Sequence, residues 1–151
     1  MNYWLMKSEP NDYSIDDLAS EKKASWDGVR NYQARNFMRD DMRVGDKVFF
    51  YHSNANPPAI VGLAAVCRES HPDITAFDKN DSHFDPKSKK GNPTWFLVDI
   101  QFVKKYKAPV TLTELKSDKK LQGMRLLQRG QRLSVMPIEE KYGKYLETLL
   151  K

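Results

Sequence analysis

A chain of 151 residues, 40% hydrophobic and 30% charged, has the size and composition of one ordinary domain with its own core, which excludes a disordered segment. No run approaches the ~18 apolar residues of a membrane helix, the N-terminus lacks a secretory pattern, and a single cysteine, Cys67, excludes an internal disulfide. The expectation is a cytoplasmic protein, nuclear if eukaryotic, with no membrane partner. The net charge of +5 is uneven: residues 1–75 hold nine Lys/Arg against eleven Asp/Glu, and residues 76–151 hold sixteen against nine. That bias favours an anionic partner, although the excess is scattered rather than gathered into a basic tail.

Asn2 to Lys7 is rich in β-formers and predicts a first strand, stopped by Ser8-Glu9-Pro10. Ser14 caps a short helix that ends near Glu21, with acidic residues in its first turn and Ile15 and Leu18 facing inward. Trp26 to Asn36 (WDGVRNYQARN) is the most chemically loaded stretch. Gly28 suits a tight turn, Asn31 an N-cap, and Tyr32 to Arg39 a helix with Ala34, Phe37 and Met38 on one face. Val48 to His52 predicts a strand after the turn at Val44 to Lys47. Ser53 to Pro58 is a loop, and Ala59 to Arg68 is a second apolar run in which Gly62 marks a bulge or a close backbone approach. His71 to Gly91 is polar and predicts a long surface excursion. Trp95 to Val103 alternates as a strand, and Thr111 to Glu114 opens a short helix. Leu121, Met124 and Leu127 predict another helical turn ended by Gly130, and Arg132 to Met136 a last short strand. Pro137 then opens a final helix with Ile138, Tyr142, Tyr145, Leu146, Leu149 and Leu150 in one stripe. Strands and short helices are interspersed without regular β–α alternation, so a mixed, mainly antiparallel α+β sheet or small barrel follows.

The chain has no phosphate loop, dinucleotide fingerprint or paired-cysteine motif, so no cofactor is expected. His71, Asp73, Asp78, Asp81, His83 and Asp85 match neither zinc nor calcium spacing and read as a solvated loop, with no metal expected. His52 lies at a strand end, where it either lines a pocket or is a satisfied structural histidine. Lys7, Ser8 and Glu9 supply an amine, a hydroxyl and a carboxylate, which suits either an ion-paired strand end or acid–base work by a lysine of lowered pKa. Trp26 beside the amides of Asn31 and Gln33 has the composition of a site that stacks a base and reads its edges.

Four stretches, Tyr3 to Pro10 (YWLMKSEP), Trp26 to Asn36, Phe49 to Asn54 (FFYHSN) and Arg129 to Pro137 (RGQRLSVMP), together resemble the EVE domain, a PUA-like family, from about residue 2 to the C-terminus. Asn11, Ala59 and Ala65 depart from its usual residues, outside the four stretches. The resemblance implies a single PUA-like domain over 1–151: a mainly antiparallel β-barrel with flanking short helices, related to readers of methylated adenine. It also implies a non-catalytic partner for DNA or RNA, holding a methylated or hydroxymethylated base in an aromatic-lined pocket. Carried onto this chain, the base pocket comprises Ser8, Glu9, Trp26, Val29, Asn31, Tyr32, Ser53, Leu133 and Ser134. Lys7, Arg30, Arg35, Arg129 and Arg132 are placed at the phosphates. Two alternatives stand beside it: a small PUA-like amidohydrolase acting on a modified nucleoside through Lys7, Ser8 and Glu9, and a protein-interaction module using the basic half.

Overall fold

The computed structural model describes residues 1–151. Strand β1 (Tyr3–Ser8) leads to helix α1 (Ile15–Glu21), a short strand β2 (Lys23–Ser25) and helix α2 (Tyr32–Asn36), which runs on into a π-helical turn, Phe37–Asp41. Strands β3 (Lys47–His52), β4 (Ala59–Pro72) and β5 (Phe96–Thr111) follow. Helix α3 (Leu112–Ser117), two 3-10 turns, strand β6 (Val135–Ile138) and helix α4 (Glu140–Leu149) complete the chain.

The six strands form one sheet in the order β2-β5-β4-β3-β1-β6. Only β1 and β3 are parallel; every other pair is antiparallel. The anticipated barrel does not close. β2 has three residues, all spent on β5, and β6 pairs with β1 alone, so no ladder joins the two edges. Register shifts between Phe50 and Tyr51 and at four points along β4 and β5 bend the sheet instead, as bulges do. Gly62 sits at one of them, and a Cβ there would lie 2.5 Å from Ile15 Cδ1 and 2.8 Å from the Lys104 carbonyl. Both readings of that glycine hold.

Burial explains which elements the chain forms. Leu5, Met6, Val48, Phe49 and Phe50 are fully buried because β1 and β3 sit centrally and are covered on both faces. Ser14 and Thr111 each make the reciprocal cap expected of them. Three details differ from expectation. Pro137 lies within β6, opposite Trp4, and α4 begins at Glu140; an edge strand tolerates the missing N–H. β5 continues through the basic run to Thr111 because β4 offers partners along that length, and Tyr106 within the run is buried. Trp95 precedes β5 instead of opening it.

Candidate functional site

The unclosed gap between the sheet edges holds a cavity of about 1410 Å³. Its walls come from the end of β1 (Lys7, Ser8, Glu9), from the following loop (Tyr13), from β2 (Lys23, Ala24, Ser25) and from the turn after it (Trp26 to Arg30). Asp12 before α1 and Glu21 at its end, Ser53 and Asn54 after β3, Ser82 and His83 from the polar excursion, and Arg132 and Ser134 before β6 also line it. The cavity exceeds the ~300–1,000 Å³ of ordinary small-molecule sites, so it suits one extruded group together with its flanking chain.

Trp26 forms the apolar wall. Its backbone N–H donates to the Val98 carbonyl at 3.0 Å, and its indole is 8% exposed, edge-on to Phe50 at 5.5 Å and to Tyr13 at 6.2 Å. The Tyr13 hydroxyl is buried and makes no hydrogen bond of good geometry, while burial first and nearby Glu21 second push its pKa up. Next to it, Ser8 Oγ donates to the Tyr13 carbonyl at 2.7 Å, the Asn54 amide donates to Glu9, and the Lys7 N–H donates to the Ser134 carbonyl at 2.8 Å. Ser8 thus gives its proton to a backbone carbonyl rather than to a base, so its hydroxyl is not activated as a nucleophile. Lys7 makes no ion pair, and burial pulls its pKa down.

Turn and excursion are tied together by one buried carboxylate. Asp73 is 1% exposed and accepts from the Gly28 N–H at 2.9 Å, from Arg30 Nη1 at 3.0 Å and from Thr75. Burial alone would raise its pKa, but the bonds from Thr75, Gly28 and Arg30 outweigh it and hold the carboxyl below its usual range. Gly28 takes φ +80, with His83 packed so closely that a Cβ would meet its ring at 2.5 Å. Burial and the carboxylates of Asp73 and Asp81 push Asp27 up, against His83 and Arg30.

Nine of the fourteen residues singled out from sequence meet here: Lys7, Ser8, Glu9, Trp26, Val29, Arg30, Ser53, Arg132 and Ser134. Five do not line the cavity. Asn31 Oδ1 is spent capping α2, accepting from the Ala34 N–H at 2.9 Å. Tyr32 points away and stacks on Trp95, and Arg35 packs beside both. Leu133 is buried in the core, and Arg129 is exposed outside the rim. Arg30 lines the cavity without a donor to spare: its three nitrogens bond the Val29 and His83 carbonyls, Asp73 and Thr75. It pins the excursion rather than offering a fork to phosphate. Tyr13, Asp27, His83 and Asn54 were missed; the sequence marked Gly28 only as a tight turn and gave no sign that His83 packs against it. His52 is structural, since its Nε2 accepts from the Ile15 N–H at 3.1 Å. The lining is not electropositive either. Lys7, Lys23, Arg30 and Arg132 balance Glu9, Asp12, Glu21 and Asp27, a balance that suits a neutral base more than a phosphate.

A family model of the EVE domain matches residues 2–149. The chain belongs to the EVE-domain family. This EVE domain is 47% identical to thymocyte nuclear protein 1 of Rattus norvegicus over 93% of its own length and 70% of that protein. Among solved structures it resembles a hypothetical protein from Leishmania major, with a TM-score of 0.93 at 50% identity, covering 99% of this chain and 94% of that one. It also resembles human THYN1 crystallised in complex with DNA containing 5-methylcytosine, with a TM-score of 0.91 at 42% identity over 99% and 97% of the two chains. No helix of this EVE domain is long and apolar enough to cross a membrane.

Proposed function

We propose that this EVE domain is a non-catalytic binder of DNA carrying a modified cytosine, and that the cavity beside Trp26 receives the extruded base. The observation that carries the reading is the meeting of an indole, small hydroxyl side chains and uncommitted donors, drawn from four distant stretches, in one cavity. A flipped base needs an apolar wall and polar groups around its edge. Trp26 supplies the wall, and the hydroxyls of Ser53 and Ser134, which also line the cavity, are free to meet a base edge. Lys7, Lys23 and Arg132, which make no ion pairs, serve the adjoining phosphates. The human relative crystallised with 5-methylcytosine DNA supports the choice of polymer and of modification.

The test is a fluorescence-anisotropy titration of labelled duplexes that differ only in one central 5-methylcytosine. Burying a methyl group is worth ~0.8 kcal/mol, so the modified duplex binds roughly 4-fold tighter or better. Ser134→Trp, placed to fill the cavity, removes the preference while circular dichroism reports an unchanged fold. Equal, salt-sensitive affinity for both duplexes at the ~10⁻⁴–10⁻⁶ M of non-specific binding overturns the reading.

A further inference from the structure

Outside the cavity, Tyr32 is 61% exposed, an unusual position for an aromatic ring held so firmly. Its ring lies parallel to Trp95, with centroids 5.0 Å apart and planes 22° apart. Trp95 is itself fixed, 5% exposed, with Nε1 donating to Asp85 at 2.7 Å. The Arg35 guanidinium stands 4.9 Å from the Tyr32 ring and 5.9 Å from the Trp95 ring. Arg35 is thus within about 6 Å of both rings, too near Trp95 to sit directly opposite it across Tyr32. With Trp95 stacked on one face, the high exposure of Tyr32 leaves its outer face open to solvent. Arg35 is held in place by the Thr94 carbonyl at 2.9 Å and by Asn36. A solvent-facing ring gains little stability from such bracing. A rigid platform for a second flat group gains much, because its ordering cost is met before binding.

We propose that the outer face of Tyr32 stacks a nucleobase flanking the one held in the cavity, with Arg35 beside the stack as its cation. This rests on the function proposed above and extends its footprint. Arg30 connects the two places: it lines the cavity and sits 5.2 Å from the Trp95 ring. The Tyr32 ring is then at most about 10 Å from the Arg30 guanidinium on the cavity wall, the sum of the 5.2 Å and 5.0 Å separations, within reach of bases that flank an extruded one. Tyrosine stacks on any base, so the platform adds affinity and carries no preference for the modification.

The experiment measures the affinity of wild type, Tyr32→Ala and Tyr32→Phe for 5-methylcytosine and unmodified duplexes, with 2-aminopurine placed one to three steps from the modified position. Wild type quenches 2-aminopurine at one of these steps, and Tyr32→Phe keeps the quenching. Tyr32→Ala abolishes it and weakens both duplexes equally, by roughly 5- to 140-fold, as loss of one stacked base predicts. The preference for 5-methylcytosine survives in Tyr32→Ala, which separates this inference from the cavity reading. Unchanged affinity and quenching in Tyr32→Ala overturn the platform even where the preference stands. If Tyr32→Ala loses the preference itself, the ring belongs to base selection and the proposal is equally wrong.

Discussion

Replacing Asp73 by asparagine removes the carboxylate that ties the Trp26 turn to the polar excursion. Asp73 Oδ2 accepts from the Gly28 N–H and from Arg30 Nη1, and an amide nitrogen in that place faces two donors with a third. Hydrogen bonds to a charged group contribute ~1.5–3 kcal/mol each. Arg30 keeps its other acceptors and a quarter of its side chain in solvent, so the low end applies and the loss is ~3 kcal/mol. For a chain of this length, that lowers Tm by about 6–12 °C. The pH dependence has a fixed sign. A carboxyl held below its unfolded value contributes stability above an unfolded pKa of ~3.9 and loses it as pH falls towards the folded value. Between pH 7 and pH 3 the gap between wild type and Asp73→Asn therefore narrows by up to about 1 kcal/mol. Urea denaturation followed by tryptophan fluorescence at both pH values measures it. A gap under ~1 kcal/mol at pH 7, or one undiminished at pH 3, refutes the role given to this carboxylate.

Gly28→Ala combines a positive φ with a collision against His83 and costs ~2 kcal/mol or more, read from thermal melts; a melt within 2 °C of wild type contradicts the packing described. Gly143→Ala, which in an exposed helix gains up to ~1 kcal/mol, is destabilising here because its Cβ falls 2.3 Å from Cγ of the buried Tyr3; denaturant midpoints decide the sign. Lys7→Met is more stable than wild type at pH 7, because the half-buried ammonium carries a desolvation penalty. The advantage shrinks as pH rises through the lowered folded pKa towards the unfolded value, and a gap independent of pH between 7 and 11 contradicts it. The same variant binds modified and unmodified DNA more weakly by one factor, with a salt slope shallower by about 0.9 for each phosphate that the lysine no longer neutralises.

Much of the sheet was legible because burial and periodicity coincide in β1, β3 and the first half of β5, where apolar residues meet the core directly. β2 was not legible: Lys23-Ala24-Ser25 has no apolar pattern, and it is a strand only because β5 offers it an edge. The same holds for the far half of β5, where a basic run hides a two-sided ladder. The cavity was legible as an association of stretches, but not residue by residue. Arg30 illustrates why. From sequence a guanidinium near a candidate pocket reads as a phosphate ligand. Whether its donors are free depends on where residues 73–83 fold back, and no local signal fixes that. Tyr32 shows the converse, an aromatic beside the right motif whose ring turns outward once Asn31 is committed to its cap.

An open sheet ordinarily invites other chains to extend it. Here β6 carries a proline and only four residues, and β2 is three residues long with a lysine at its head. Both margins are too brief and too interrupted to template further pairing. The fold can therefore keep a permanent opening in its β-structure without offering an edge for polymerisation through it, and the entrance needs no lid to guard against strand pairing.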